Sequence, residues 1–261
     1  MGKSVQLFPG TLTEIFLDIK LQGWKKMEKM RFGLRKMTLL DFPGKVACTV
    51  FTCGCNFRCP FCHNASLVRG SEEDMALSAG ELLEFLERRK KLLDGVAVTG
   101  GEPLLHPGTV ELLEKAKAMG YAVKLDTNGS FPETLQKVID SGIVDYVAMD
   151  VKSSFEHYEE LCGRSGMTEK VAQSIRILLE GKVDYEFRTT VVDELHTAAD
   201  IESAACVIAG AKRYFLQNFT ESDDLLSPWA SFSGAGKEKL QEMLKRARIH
   251  VPSAELRGVD L

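Results

Sequence analysis

From residue 46 onward the 261-residue chain repeats one unit: a short, nearly continuous apolar run, then a longer stretch with helical spacing. Runs over 46–52, 95–99, 121–126, 144–150, 185–191 and 213–217 have the character of strands buried on both faces. Helices are expected over 78–91, 110–119, 132–141, 168–180, 198–209 and 236–247. Ser78 and Glu81 read as a capping box, Thr168 as an N-cap, and Gly120, Gly142, Gly181 and Gly210 as helix stops. Six consecutive βα units imply a parallel sheet covered by helices. The sheet is either open and doubly wound or an incomplete barrel, and in both the functional groups gather at the carboxyl ends of the strands. Residues 1–29 lack this rhythm and read as an N-terminal extension, with a short helix over 12–22 as the alternative; residues 30–261 read as one domain.

Four of the seven cysteines, Cys53, Cys55, Cys59 and Cys62, fall just after the first strand. An odd cysteine count behind an N-terminus without a charged-then-apolar leader argues against a disulfide scaffold and for a reducing, cytoplasmic setting. Cys48, Cys162 and Cys206 are expected to be small buried hydrophobes. The net charge is −4, with no basic stripe for nucleic acid. No apolar run is long enough to cross a bilayer, so neither nucleic acid nor membrane is an expected partner. His106, His157, His196 and His250 stand alone and read as surface or internally satisfied residues rather than ligands.

The loop Cys55-Asn56-Phe57-Arg58-Cys59-Pro60-Phe61-Cys62-His63-Asn64 carries the strongest chemical signal. Three thiolates can hold three irons of a cubane cluster and leave the fourth open to a small molecule. The alternative is a zinc ion on Cys53, Cys55, Cys59 and Cys62, although structural zinc usually pairs two separated knuckles. At the end of the second strand stands Thr99-Gly100-Gly101-Glu102-Pro103, whose glycines allow close backbone approach to a ligand and whose Glu102 adds an acceptor. Further polar strand ends are Asp126-Thr127-Asn128-Gly129, Asp150-Val151-Lys152, Arg188 within Glu186–Thr190, and Gln217. Asp126 and Asn128 share one strand face. The bland reading of these groups is a satisfied polar network that fills a barrel.

The C-x3-C-x-aromatic-C loop, followed by GGEP, resembles the radical S-adenosylmethionine superfamily. With Leu40-Asp41-Phe42-Pro43-Gly44-Lys45 ahead of the first strand, it is most similar to the glycyl-radical-enzyme activating enzymes, above all those of anaerobic ribonucleoside-triphosphate reductase. The resemblance spans roughly residues 31–220. It implies a partial (β/α)6 TIM-like barrel and a [4Fe–4S] cluster on Cys55, Cys59 and Cys62. It also implies S-adenosyl-L-methionine at the open iron, with Gly100, Gly101 and Glu102 at its amino group and Phe61 and His63 near its adenine. Asp126, Thr127 and Asp150 are implied in a cofactor and monovalent-cation site, Arg188 near the cofactor, and Lys152 against the cofactor or the partner's glycine loop. The implied reaction is reductive cleavage of the sulfonium to a 5′-deoxyadenosyl radical, which takes a hydrogen from a glycine of a partner enzyme. An electron donor such as flavodoxin or ferredoxin is implied as well. With no cysteine-rich insertion after Cys62, a second cluster is not expected. A radical enzyme acting on a small molecule or peptide, and a non-catalytic zinc or iron–sulfur module, are the rival readings. The segment 218–233, polar and rich in turn residues, reads as a mobile rim or docking segment.

Overall fold

The computed structural model describes residues 25–70, 75–221, 224–227 and 231–258. The expected 12–22 helix and most of the N-terminal extension lie outside the described residues. Nine strands form one sheet among them: β1 (Arg31–Thr38), β2 (Ala47–Thr52), β3 (Leu77–Ser78), β4 (Gly95–Gly100), β5 (Ala122–Thr127), β6 (Tyr146–Asp150), β7 (Asp184–Val191), β8 (Tyr214–Asn218) and β9 (Ala254–Arg257). After a helical turn at 25–28, the helices are α1 (Ala65–Arg69), α2 (Ala79–Arg89), α3 (Pro107–Ala118), α4 (Pro132–Asp140), α5 (Tyr158–Cys162), α6 (Thr168–Leu179), α7 (Ala198–Val207) and α8 (Lys237–His250).

Strand order decides between the two expected architectures. The sheet runs β3-β1-β2-β4-β5-β6-β7-β8-β9, and every pairing from β2 to β9 is parallel. A doubly wound sheet would reverse its order at a switch point. Here the order never reverses, so successive right-handed crossovers place the helices on the same face. The other face curls inward, and the result is an incomplete (β/α)6 barrel lengthened by β9. β1 runs antiparallel to β2 and carries the two-residue β3 on its other side. Neither β1 nor β9 belongs to the six strands read from the sequence. β9 is four residues long, and β1 (RFGLRKMT) lacks a continuous apolar run.

Side chains alternate along each inner strand. In β5, Val123 and Leu125 are fully buried in the main core, while Ala122, Lys124 and Asp126 take the other face. At the amino ends of the strands the inner face is closed by an apolar plug of Phe42, Ala47, Tyr146 and Ala148. The Phe42 and Tyr146 rings lie 6.1 Å apart. Gly95 makes room for this plug, since a Cβ there would sit 2.9 Å from the Phe42 ring.

Most helix boundaries follow their local signals. Ser78 and Glu81 form the expected capping box of α2, and Thr197 with Asp200 forms another at α7. Proline at N1 starts α3 and α4, three residues before the expected start in the case of α3. Thr168 is not a cap: it is the first residue of α6, and its hydroxyl lies 3.3 Å from Glu159 Oε1. Cys48 and Cys162 are buried as expected, but Cys206 is exposed. In α7 the buried stripe runs through Ile201, Ala204 and Ala205, and Cys206 turns away from it. Among the described residues no helix is long and apolar enough to cross a membrane.

Phe42 is 4% exposed and fills the barrel floor against Tyr146. Phe42→Ala should therefore lower the unfolding free energy by about 3 kcal/mol or more, the cost of emptying an aromatic core site, measured by urea or thermal unfolding.

Candidate active site

The carboxyl ends of the parallel strands open into a cavity of about 250 Å³. Cys55, Cys59 and Cys62 line it from the loop after β2, with Phe61 and His63 beside them. Gly100 and Gly101 line it from the end of β4, Asp126, Thr127 and Asn128 from β5, Asp150 and Lys152 from β6, and Arg188, Thr190 and Gln217 from β7 and β8. His63 stacks on Phe219 with ring centres 4.6 Å apart, and its Nε2 lies 2.9 Å from the Thr220 carbonyl. Phe61 meets His196 edge-on. His196 is itself satisfied by the Lys152 carbonyl and the backbone of Val192.

The glycine pair works on the cysteine loop as well as on the cavity. Gly101 N–H donates to the Thr52 carbonyl at 3.0 Å, and Glu102 N–H to the Gly54 carbonyl at 2.9 Å. A Cβ on Gly100 would meet Thr52 O at 2.2 Å, and one on Gly101 would meet Gly54 O at 2.0 Å. No side chain fits where two backbones approach this closely. The fold turns the Glu102 side chain away from the cavity. Its carboxylate is fully buried and accepts from Leu104 N–H at 3.0 Å, Thr127 Oγ1 at 2.9 Å and Asn128 N–H at 2.7 Å. It ties the end of β4 to the end of β5.

Across the mouth runs a chain of alternating charges: Lys124, Asp126, Arg188, Asp150, Lys152. Lys124 pairs with Asp126. Arg188 Nη1 lies 3.2 Å from Asp126, Arg188 Nε 2.9 Å from Asp150, and Lys152 Nζ 2.9 Å from Asp150. Burial pushes both carboxyls up, but Arg188 with Lys124 at Asp126, and Arg188 with Lys152 at Asp150, outweigh it and hold both low. Burial works against the charge of Lys152, and the Asp150 carboxylate more than offsets it, so its pKa is raised. Each carboxylate finds counter-charges in side chains. Lys152, at one end of this chain, also acts electrostatically on Cys55 and Cys59.

Residues 49–203 match the Radical SAM superfamily, more than half of the chain. The chain belongs to that superfamily. A relative from Methanocaldococcus jannaschii, provisionally named a glycyl-radical enzyme activating enzyme, is 29% identical over 242 residues, 90% of this chain and 98% of that protein. A 7-carboxy-7-deazaguanine synthase of Methanothermobacter thermautotrophicus is 32% identical over 132 residues, 50% of each chain. The crystal structure of Streptococcus suis SuiB bound to S-adenosylmethionine superposes with a TM-score of 0.63 at 13% identity, over 78% of this chain and 48% of that one. That likeness is one of fold.

Radical SAM enzymes use a [4Fe–4S] cluster and S-adenosyl-L-methionine, and the donor set of this one suits a cluster better than a lone metal ion. Cys53 points away from the cavity, with its Sγ 3.7 Å from the Leu67 carbonyl. A four-thiolate zinc site therefore lacks its fourth ligand. Among the described residues no three His, Cys, Asp or Glu side chains converge as a single ion would require. A cubane asks for something else, three sulfurs spread round one cavity, each for its own iron. Burial pushes the Cys59 thiol up to about 12, so its thiolate calls for a metal or a nearby cation such as Lys152. The fully buried Tyr158 neighbours both Lys152 and Cys59.

Lys124 was not legible as a site residue in this radical SAM chain. Lys124 sits inside an apolar strand, and only the two-residue alternation with Asp126 hints that it faces inward. The rim is tied down where it is described. Asp224 accepts from Ser66 Oγ at 2.8 Å, and Ser227 N–H donates to the Pro60 carbonyl at 3.3 Å.

Burial outweighs three hydrogen bonds at Glu102 and raises its carboxyl from 4.5 to about 7. The folded chain then keeps a proton that the unfolded chain releases. Its stabilising effect is full below about pH 4.5 and is lost as pH rises through 7, a change of up to about 3 kcal/mol. Glu102→Gln, neutral at every pH, should flatten the fall in unfolding temperature between pH 5 and pH 8 relative to the parent protein.

Proposed function

We propose that Cys55, Cys59 and Cys62 hold the [4Fe–4S] cluster, and that the enzyme generates a glycyl radical on a partner enzyme, anaerobic ribonucleoside-triphosphate reductase being the best match in motif. The observation that carries the activating role is length. The match to the archaeal activating-enzyme relative runs end to end, whereas the match to the deazaguanine synthase stops at half of each chain. When bound, the cluster supplies the electron that cleaves the sulfonium of S-adenosyl-L-methionine.

The chain's own residues bind and orient. Gly100 and Gly101 line the cavity at the end of β4, packed on their other side against the backbone of Thr52 and Gly54. The stacked His63 and Phe219 offer a flat wall to an adenine ring. Asp126, Asp150 and Arg188, locked to one another, present fixed polar groups to the cofactor, with Thr127 beside them. Lys152, the end of the charge chain, acts electrostatically on Cys55 and Cys59 and would meet the cofactor or an incoming glycine loop. Paired in this way, these groups need little reorganisation when charge moves in the site. A flavodoxin or ferredoxin would deliver the electron.

Anaerobically reconstituted protein should contain about four irons and four sulfides per chain. Cys55→Ala, Cys59→Ala and Cys62→Ala should each lose them, and Cys53→Ala should keep them; full iron in Cys59→Ala would defeat the ligand assignment. Reduced enzyme with S-adenosyl-L-methionine should then give an α-glycyl signal, seen by electron paramagnetic resonance, on the co-encoded reductase. A Gly→Ala change in the partner's radical loop should abolish that signal. Turnover of a small metabolite with no signal on any such partner would instead point to the small-molecule reading.

A further inference from the structure

The three cavity-lining cysteines are not equivalent. Cys55 Sγ is the acceptor of two hydrogen bonds, from Phe57 N–H at 3.4 Å and from Asn128 Nδ2 at 3.8 Å. Asn128 follows β5 directly and is 6% exposed. Its amide orientation follows from its neighbours. Asn128 Oδ1 lies 2.9 Å from Ser130 N–H, which can only donate, and it also accepts from Ser130 Oγ–H at 2.5 Å. The oxygen therefore faces Ser130 and the NH2 group faces the cysteine loop. There one hydrogen goes to Asn56 Oδ1 at 3.0 Å and the other to the Cys55 sulfur. Asn56 closes the ring by donating to Ser130 Oγ at 2.9 Å. The Asn128 backbone is fixed independently by its 2.7 Å bond to the buried Glu102 carboxylate. Every part of this donor is held from behind, and its free hydrogen points at sulfur.

We propose that Asn128 is a positioning residue that sets the reduction potential of the cluster through the Cys55 sulfur, with Ser130 fixing its orientation. A thiolate that accepts a hydrogen bond gives less electron density to its iron. The reduced cluster, which carries one more negative charge, gains more from that bond than the oxidised one, and the potential rises. Two donors on Cys55 make that corner of the site the more electron-poor one. The inference rests on the reading that Cys55, Cys59 and Cys62 hold the cluster.

The test is a redox titration of the reconstituted protein, followed by the electron paramagnetic resonance of the reduced cluster, with iron and sulfide content measured on the same samples. Asn128→Leu should keep parental iron and sulfide but shift the midpoint to more negative potential. At the parental midpoint its reduced-to-oxidised ratio should fall about tenfold, which is about 59 mV for one electron. Ser130→Ala, which touches no sulfur, should shift the midpoint in the same direction by less. Parental midpoints in both variants with intact clusters would overturn the proposal. So would loss of the cluster from both, which would make the ring a scaffold and nothing more. A parent protein that itself assembles no four-iron cluster would refute the ligand reading instead, so the two failures are distinguishable.

Discussion

The inward ends of β5, β6 and β7 depend on one arrangement, the alternation of Lys124, Asp126, Arg188, Asp150 and Lys152. These side chains are largely withdrawn from water: those of Lys124, Arg188 and Asp126 are only 3%, 15% and 17% exposed. An isolated charge at such depth would cost several kcal/mol, and breaking a buried pair strands its partner. Arg188 is therefore the hinge of the set, because it alone bridges two strands' carboxylates. The register that sets Asp150 beside Arg188 is the ladder pairing of β6 with β7. A one-residue slip of β7 would send Arg188 to the helix-covered face and leave Asp126 and Asp150 without it. The same network that makes a polar barrel interior tolerable also makes the register unambiguous.

The cysteine loop is braced from several directions, and the braces come from distant parts of the chain. Gly101 and Glu102 hold its entrance through Thr52 and Gly54. Arg58 N–H reaches the Cys162 carbonyl at 2.8 Å, and Arg164 Nε reaches the Asn56 carbonyl at 2.9 Å. Gly163 is in the left-handed region, at φ +64°, and a Cβ there would sit 2.6 Å from the Arg58 carbonyl. Asp224 and Ser227 hold the far side through Ser66 and Pro60. A loop fixed in this way presents its three sulfurs without first having to be ordered, which lowers the entropic cost of taking up a cluster. Glu102 joins the two systems, since its carboxylate binds the segment that carries Asn128, and Asn128 touches Cys55.

Much of this was written along the chain. Six apolar runs read as buried strands because a strand covered on both faces has no polar side to show, and each of them is a strand. The cysteine spacing and the glycine pair lie at strand ends, where βα architecture collects function, so the residues that line the cavity could be named before any coordinates. Local signals succeeded where the physics is local: the Ser78 capping box depends on four adjacent residues.

Tertiary structure decided the rest, because the deciding partners are far apart in sequence. Whether the sheet closes or reverses depends on strand order, which periodicity does not encode. β1 escaped notice since its exposed polar residues blur any apolar run, and its place is set by pairing with β2. Cys206 looked like any small helical hydrophobe until the packing of α7 chose which face to bury. Glu102 reads as a ligand in its motif, yet its carboxylate is claimed by Thr127 and Asn128, about 25 residues on. Cys53 is two residues from Cys55, and only the path of the backbone toward Leu67 takes its sulfur out of the cavity. The sequence alone determined which chemical groups this protein has and at which ends of which strands they stand. Folding alone determined which of them meet, because a hydrogen bond or an ion pair is settled over three ångströms of space and is indifferent to separation along the chain.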